Sequence, residues 1–219
     1  MNIEVLEPTQ KSGTNGAHRT TRKIPDYLVR ETIDGIRFYY PGYRAVLNKT
    51  KTLEDIMPDS TFQGSLKTEI GYTLRHKLDP KQYRVIIGEA GLHLQLNENM
   101  GLDVAVFDKG VLTRDKINAH YADVAAELVV EIDLNVELPE KEKDLFTEYI
   151  VRKTKRLLAF GTKKVVWYLS STRQILVAEN SRSWQLLDWS EPVELMPGIS
   201  VEIYLLMEAA EITPPRMTI

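Results

Sequence analysis

The stretch Glu127-Leu128-Val129-Val130-Glu131-Ile132-Asp133-Leu134 limits the fold more than any other part of the chain. Side chains alternate across a strand, so Leu128, Val130, Ile132 and Leu134 share one face and Val129, Glu131 and Asp133 the other. Because Val129 is apolar as well, the strand is covered on both faces for part of its length. Lys164 to Leu169 is a second, almost continuously apolar run, as expected of an interior strand. Shorter strand-like runs fall at Tyr83 to Ile87, Leu92 to Leu96, Asp103 to Phe107, Arg173 to Ala178 and Trp184 to Trp189. After Pro58, Asp59 and Ser60 offer caps for a helix in which Phe62, Leu66, Ile70, Leu74 and Leu78 recur at every fourth position, ending near Asp79-Pro80. Pro139, followed by Glu140, Glu142 and Asp144, starts a second helix that Gly161 stops. The expected fold class is α/β, a mixed sheet flanked by helices.

Asp34-Gly35, between apolar-containing runs Tyr27 to Ile33 and Ile36 to Tyr43, predicts a hairpin. Residues 1–24 read as a flexible tail, 25–205 as one domain and 206–219 as a second tail. Of 219 residues, 28 are Lys or Arg and 31 Asp or Glu, giving a net charge of −3 and leaving nucleic-acid binding to a local patch. One candidate is His18-Arg19-Thr20-Thr21-Arg22-Lys23, a short basic run that also reads as a solvated terminus. Without cysteine the chain has neither disulfides nor Cys-based zinc sites. With no long apolar run and a polar stretch after Met1, the expectation is a cytoplasmic protein without a membrane span.

Polar groups inside apolar patterns supply the functional signal. An ionised Glu131 on a covered strand is costly unless it is paired or bound to a metal, although the second face opening to water beyond Val129 would make it a surface acid. For the helix over Glu140 to Phe160, an advance of about 100° per residue places Phe146, Tyr149, Ile150, Leu157 and Phe160 within about 60° of Lys153. That lysine either snorkels past the core or points into the site that holds Glu131. Asp103 opens an apolar strand, where Asp is also common as a turn residue. Two carboxylates and a lysine suit Mg²⁺ or Mn²⁺, with no need for His or Cys. Glu69, on the edge of the first helix's stripe, and Glu89, beside the strand preceding Asp103, are lesser candidates. The chain has no P-loop, dinucleotide fingerprint or nucleophile elbow, and its four histidines lack ligand spacing.

Asp103, then Glu131 in Leu-Val-Val-Glu-Ile, then Lys153, Gly161 and Val-Val-Trp-Tyr-Leu, with Ile-Asp-Gly near residue 34, resembles the Uma-two family (DUF820). That family belongs to the PD-(D/E)XK nuclease superfamily, and the resemblance spans about residues 27–190. It implies a restriction-endonuclease-like core. Asp103 matches the acid of the family's Pro-Asp motif, with Leu102 in place of Pro, and Glu131 matches the second acid. Asp133 stands where the superfamily usually has its lysine, and Lys153, eight residues before Gly161, takes that part in the family. The family's usual His before the first helix has no counterpart near Gln63.

The resemblance implies Mg²⁺-dependent (or Mn²⁺-dependent) hydrolysis of DNA phosphodiesters, with Asp103, Glu131 and Lys153 as catalytic residues and Asp103 and Glu131 as metal ligands. Lys153 would orient or help deprotonate the attacking water, and Asp133 would be available to a second metal or its water. Arg152, Lys155, Arg156, Lys163 and Lys164 form a candidate phosphate-contacting surface or, equally, a solvated helix end. A two-fold homodimer would address both strands. Two other classes stay open: a catalytically inactive module that binds nucleic acid or protein, and a hydrolase of other phosphate esters.

Overall fold

The computed structural model describes residues 23–133, 136–139 and 144–215. The basic run before Lys23, Leu134, and Glu140 and Glu142 at the expected helix start lie outside the described residues. A six-stranded sheet in the order β3-β4-β5-β6-β7-β8 forms the centre. Its strands are β3 Tyr83–Gln95, β4 Glu98–Asp108, β5 Leu128–Ile132, β6 Lys164–Leu169, β7 Gln174–Glu179 and β8 Gln185–Asp188. Only β5 and β6 run parallel; every other pair is antiparallel. The sheet is therefore mixed, and the two strands read as interior lie side by side at its middle.

Hairpin β1 Val29–Ile33 and β2 Ile36–Tyr39 turns through Asp34 and Gly35, whose φ of 49° and 77° are those of the Asp-Gly turn the sequence predicts. A short helix α1, Tyr43–Leu47, follows. Helix α2, Thr61–Lys77, begins with a reciprocal cap: Gln63 N donates to Ser60 Oγ and Ser60 N donates to Gln63 Oε1, both at 3.2 Å. Ser60 is thus the cap, which frees Asp59 for another partner. Helix α3, Arg152–Phe160, continues a π-helical turn over Phe146–Val151 and stops at Gly161. Gly161 has φ 118°, and a Cβ there would lie 3.2 Å from that of Ala125, so the position demands glycine.

Two cores, one on each face, cover the sheet. On one, Ala105, Phe107, Val129, Val165 and Trp167 pack with Ile150, Leu157 and Leu158 and with Ile33 and Phe38 of the hairpin. On the other, Val104, Val106, Leu128, Val130, Val166 and Tyr168 pack with Leu66, Ile70 and Leu74 of α2. Each fully buried Leu or Ile contributes on the order of 1.5–3 kcal/mol, which fixes both helices firmly against the strands. The second core also includes β9 Val193–Met196, β10 Ile199–Val201 and helix α4 Ile203–Ala209, with Ile203 and Met207 buried. The core thus reaches past residue 205, the expected end of the domain. Among the described residues no helix is long and apolar enough to cross a membrane.

Candidate active site

The β4–β5 ladder ends at the pair Val104↔Val130, and the acids predicted to act together, Asp103 and Glu131, occupy the next positions. Both are buried, at 4% exposure. Beyond the last rung the Ile132 N–H would lack a backbone partner, and Asp103 Oδ2 accepts it at 2.8 Å. Asp103 is thereby a ladder member through its side chain, and its position is fixed to within a hydrogen bond.

Glu131 shares the face of Val129, so its carboxylate points toward α3. Glu131 is thus a buried acid, as the alternation along the strand predicts, and not a surface one. Lys153 meets it there, with 1% exposure, and donates to Glu131 Oε2 and Glu31 Oε1 at 3.1 Å each, to the Gly101 carbonyl at 2.8 Å and to the Tyr149 hydroxyl at 3.3 Å. An ammonium has three hydrogens for these four acceptors, so one is shared. The rings of Tyr149 and Trp167 stand 5.5 and 5.8 Å from the nitrogen and add cation–π attraction. Trp167 in turn donates its indole N–H to Thr154 Oγ at 2.9 Å, which ties α3 to β6 beside Lys153.

Burial alone would lower the pKa of Lys153, but Glu131 and Glu31 overcome it and push the value well above that of a free lysine. Lys153 is therefore a permanent cation. For Glu131 burial wins: its carboxyl is pushed up to about 8, against the pull of Lys153 and with the repulsion of Asp103 and Glu31. Its Oε1 atom is buried without a hydrogen-bond partner.

Two members of the cluster were not foreseen. Glu31 on β1, 5% exposed, accepts from Gly101 N at 3.0 Å and from the Tyr149 hydroxyl at 3.0 Å besides Lys153. Its signal was its place two residues before buried Ile33, on the same hairpin face. Lys67 on α2, 3% exposed, lies 2.6 Å from Asp103 Oδ1 and 2.5 Å from Asp59 Oδ2. The rotation of about 100° per residue that singled out Lys153 also places Lys67 within about 60° of Ile70, Leu74 and Leu78.

The lesser candidates lie elsewhere. Asp133 adopts φ 58°, and its two carboxylate oxygens are taken by Ser170, at 2.6 Å from the backbone N–H and 2.7 Å from the hydroxyl. It joins the ends of β5 and β6 rather than facing the cluster. Glu89 pairs with Arg30 across a cavity of about 160 Å³ whose wall includes Glu31 and Gly101. Glu69 is half-buried, about 200° around α2 from Lys67. Gln63, in the cap, also reaches the Ile132 carbonyl at 3.3 Å. The basic surface is largely neutralised: Arg152 pairs with Glu148, Arg156 with Glu98, Lys163 with Glu127 and Lys164 with Glu179, while Lys155 is exposed.

The cluster fits a divalent cation by charge and by donor type. Asp59, Asp103, Glu31 and Glu131 are paired with two ammonium groups, Lys67 and Lys153, and the neighbouring Arg30 is offset by Glu89, which leaves an excess of two negative charges when all are ionised. Glu131 Oε1 is a free hard oxygen of the kind Mg²⁺ prefers. Among the described residues no three Asp, Glu, His or Cys side chains group closely enough to enclose an ion. An ion held there would have at most the two carboxylates Asp103 and Glu131 from the protein and would draw its other ligands from water and substrate phosphate, a coordination Mg²⁺ accepts.

No family model matches the chain, and no curated protein does. A solved structure does: the chain is similar to a candidate nuclease belonging to DUF820 from Anabaena variabilis ATCC 29413, with a TM-score of 0.58 at 14% identity, over 82% of this chain and 90% of that one. At this identity the likeness is one of fold, and the fold is a restriction-endonuclease-like core.

Proposed function

We propose, for a chain that shares the fold of a DUF820 protein, a Mg²⁺-dependent endonuclease that hydrolyses phosphodiester bonds in DNA. The observation that carries this reading is the convergence of Asp103, Glu131 and Lys153 at the end of β5, from three elements distant in sequence. Asp103 and Glu131 would hold the ion, whose chemistry when bound is to polarise a phosphate oxygen and offset the charge that develops there. Because Lys153 keeps its proton and its hydrogens are held by Glu31, Glu131, Gly101 and Tyr149, it would act as a fixed positive charge beside the phosphate, not as the base that takes a proton from water. Glu31 and Tyr149 hold its ammonium in place, so removing either loosens the catalytic cation without touching the substrate.

The test is nicking of supercoiled plasmid by the wild-type protein and by Glu131→Gln, with Mg²⁺, Mn²⁺ or EDTA. The expected result is metal-dependent nicking by the wild type and a loss of at least a hundredfold in the variant; equal nicking by both rejects this site. A second reading, a module that binds nucleic acid or protein without cleaving it, draws on one observation: both oxygens of Asp103 already have partners, Lys67 and Ile132. DNA binding that is insensitive to metal, with no cleavage by a folded wild-type protein, would favour it. A homodimer is part of the endonuclease reading, and light scattering on the purified protein would read its mass directly.

A further inference from the structure

Lys67 has no part in the proposed chemistry, yet its ammonium touches one of the two acids proposed to hold the ion. It does not drift there from a mobile surface. Helix α2 is locked at its start by the Ser60–Gln63 cap, docked to β5 through Gln63 and Ile132, and packed through Leu66, Ile70 and Leu74. This frame delivers the lysine stem through the core to a point between Asp103 and Asp59, at 2.6 and 2.5 Å. Asp59 keeps a second buried oxygen, Oδ1, with no hydrogen-bond partner.

We propose that Lys67 is a built-in cation that competes with a divalent ion for Asp103, moving over to Asp59 when the ion binds and limiting the site to one ion. This inference rests on the reading of Asp103 and Glu131 as the ion's ligands. The charge balance supports it. With Lys67 and Lys153 in place and all four carboxylates ionised, Glu131 included, one divalent ion cancels the two excess negative charges of Asp59, Asp103, Glu31 and Glu131, and a second would leave the buried cluster positive. Lysine suits the part because its compact charge sits on a flexible four-carbon stem that can swing between two carboxylates. Asp59 suits its part because it stands just before the cap, carries a spare oxygen and is partly open to solvent. Lys153 cannot do the same, since Glu31, Glu131, Gly101 and Tyr149 hold it on every side.

The experiment measures Mn²⁺ binding by isothermal titration calorimetry and the rise of melting temperature with Mn²⁺, in the wild type, Lys67→Met and Lys67→Gln. Glutamine retains hydrogen-bond donors and serves where methionine leaves Asp59 and Asp103 too poorly paired to fold. The expected result is one weakly bound ion in the wild type. Either variant should bind Mn²⁺ at least tenfold more tightly or take up a second ion, with a steeper rise in melting temperature. Asp59→Asn should act in the opposite direction, weakening Mn²⁺ binding severalfold, because Lys67 then has nowhere else to go. Wild-type Mn²⁺ binding that stays unchanged or weakens when Lys67 is replaced overturns this inference and leaves the proposed function standing. No Mn²⁺ binding by any of the proteins overturns both.

Discussion

Glu131 stands in a costly environment, buried at the middle of the sheet with one oxygen unpaired. Its carboxyl titrates near 8 in the folded state against an ordinary value of 4.5. Between those values the native protein holds a proton that the unfolded chain has released, so stability is full below about 4.5 and falls as pH rises toward 8. The slope approaches about 1.4 kcal/mol per pH unit if no other group compensates. Melting in EDTA buffers from pH 5 to 8 should therefore show a wild-type midpoint that declines and a Glu131→Gln midpoint that declines much less. Parallel curves would mean that Glu131 is ionised throughout.

At the scale of elements, α2 and α3 bring one buried lysine each to the same strand end from opposite faces of the sheet. Removing the cap with Ser60→Ala should cost about 1 kcal/mol of stability, read as a lower urea midpoint. It should also loosen the start of α2, where Gln63 reaches β5; an unchanged midpoint would mean that packing alone fixes the helix. Lys153 was legible in sequence because the helix spreads its pattern from Phe146 to Phe160, about four turns, and a charged residue at the centre of the apolar stripe stands out. Lys67 carries the same signal in α2, within about 60° of Ile70, Leu74 and Leu78. Glu31 was harder to read. A five-residue strand has too few alternations to identify its inner face, and only docking of the hairpin over Tyr149 and Gly101 makes that face the site's wall. The break expected between Ile87 and Leu92 is a bulge at Gly88 and Glu89 within the single strand β3, because both residues adopt positive φ while pairing with β4 resumes at Ala90. β9 and β10 were missed because strands of four and three residues give no period to find.

Over the whole molecule, the fold class was legible because a strand apolar on both faces demands two covering layers, and the structure supplies α3 with the β1–β2 hairpin on one side and α2 with β9, β10 and α4 on the other. The C-terminal limit was not, because α4 is short and its apolar face becomes apparent only against the second core. A chain stopped after Val201 loses Ile203 and Met207, each worth on the order of 1.5–3 kcal/mol of burial. Such a truncation should unfold at a distinctly lower urea concentration than the full chain. An unaltered midpoint would make α4 an ornament and restore a boundary near 205.

The four acceptors around Lys153 come from β1, β4, β5 and the turn leading into α3, segments of which the first and last, at Glu31 and Tyr149, stand 118 residues apart in the chain. None of them alone can satisfy a buried ammonium, so a chain that lacks any one of the four is penalised at the candidate site itself. The cluster therefore acts as an assembly check: a half-folded or nicked molecule holds an exposed, mobile lysine in place of an aligned one. For the proposed endonuclease, that arrangement would make competence an all-or-none property of the finished fold.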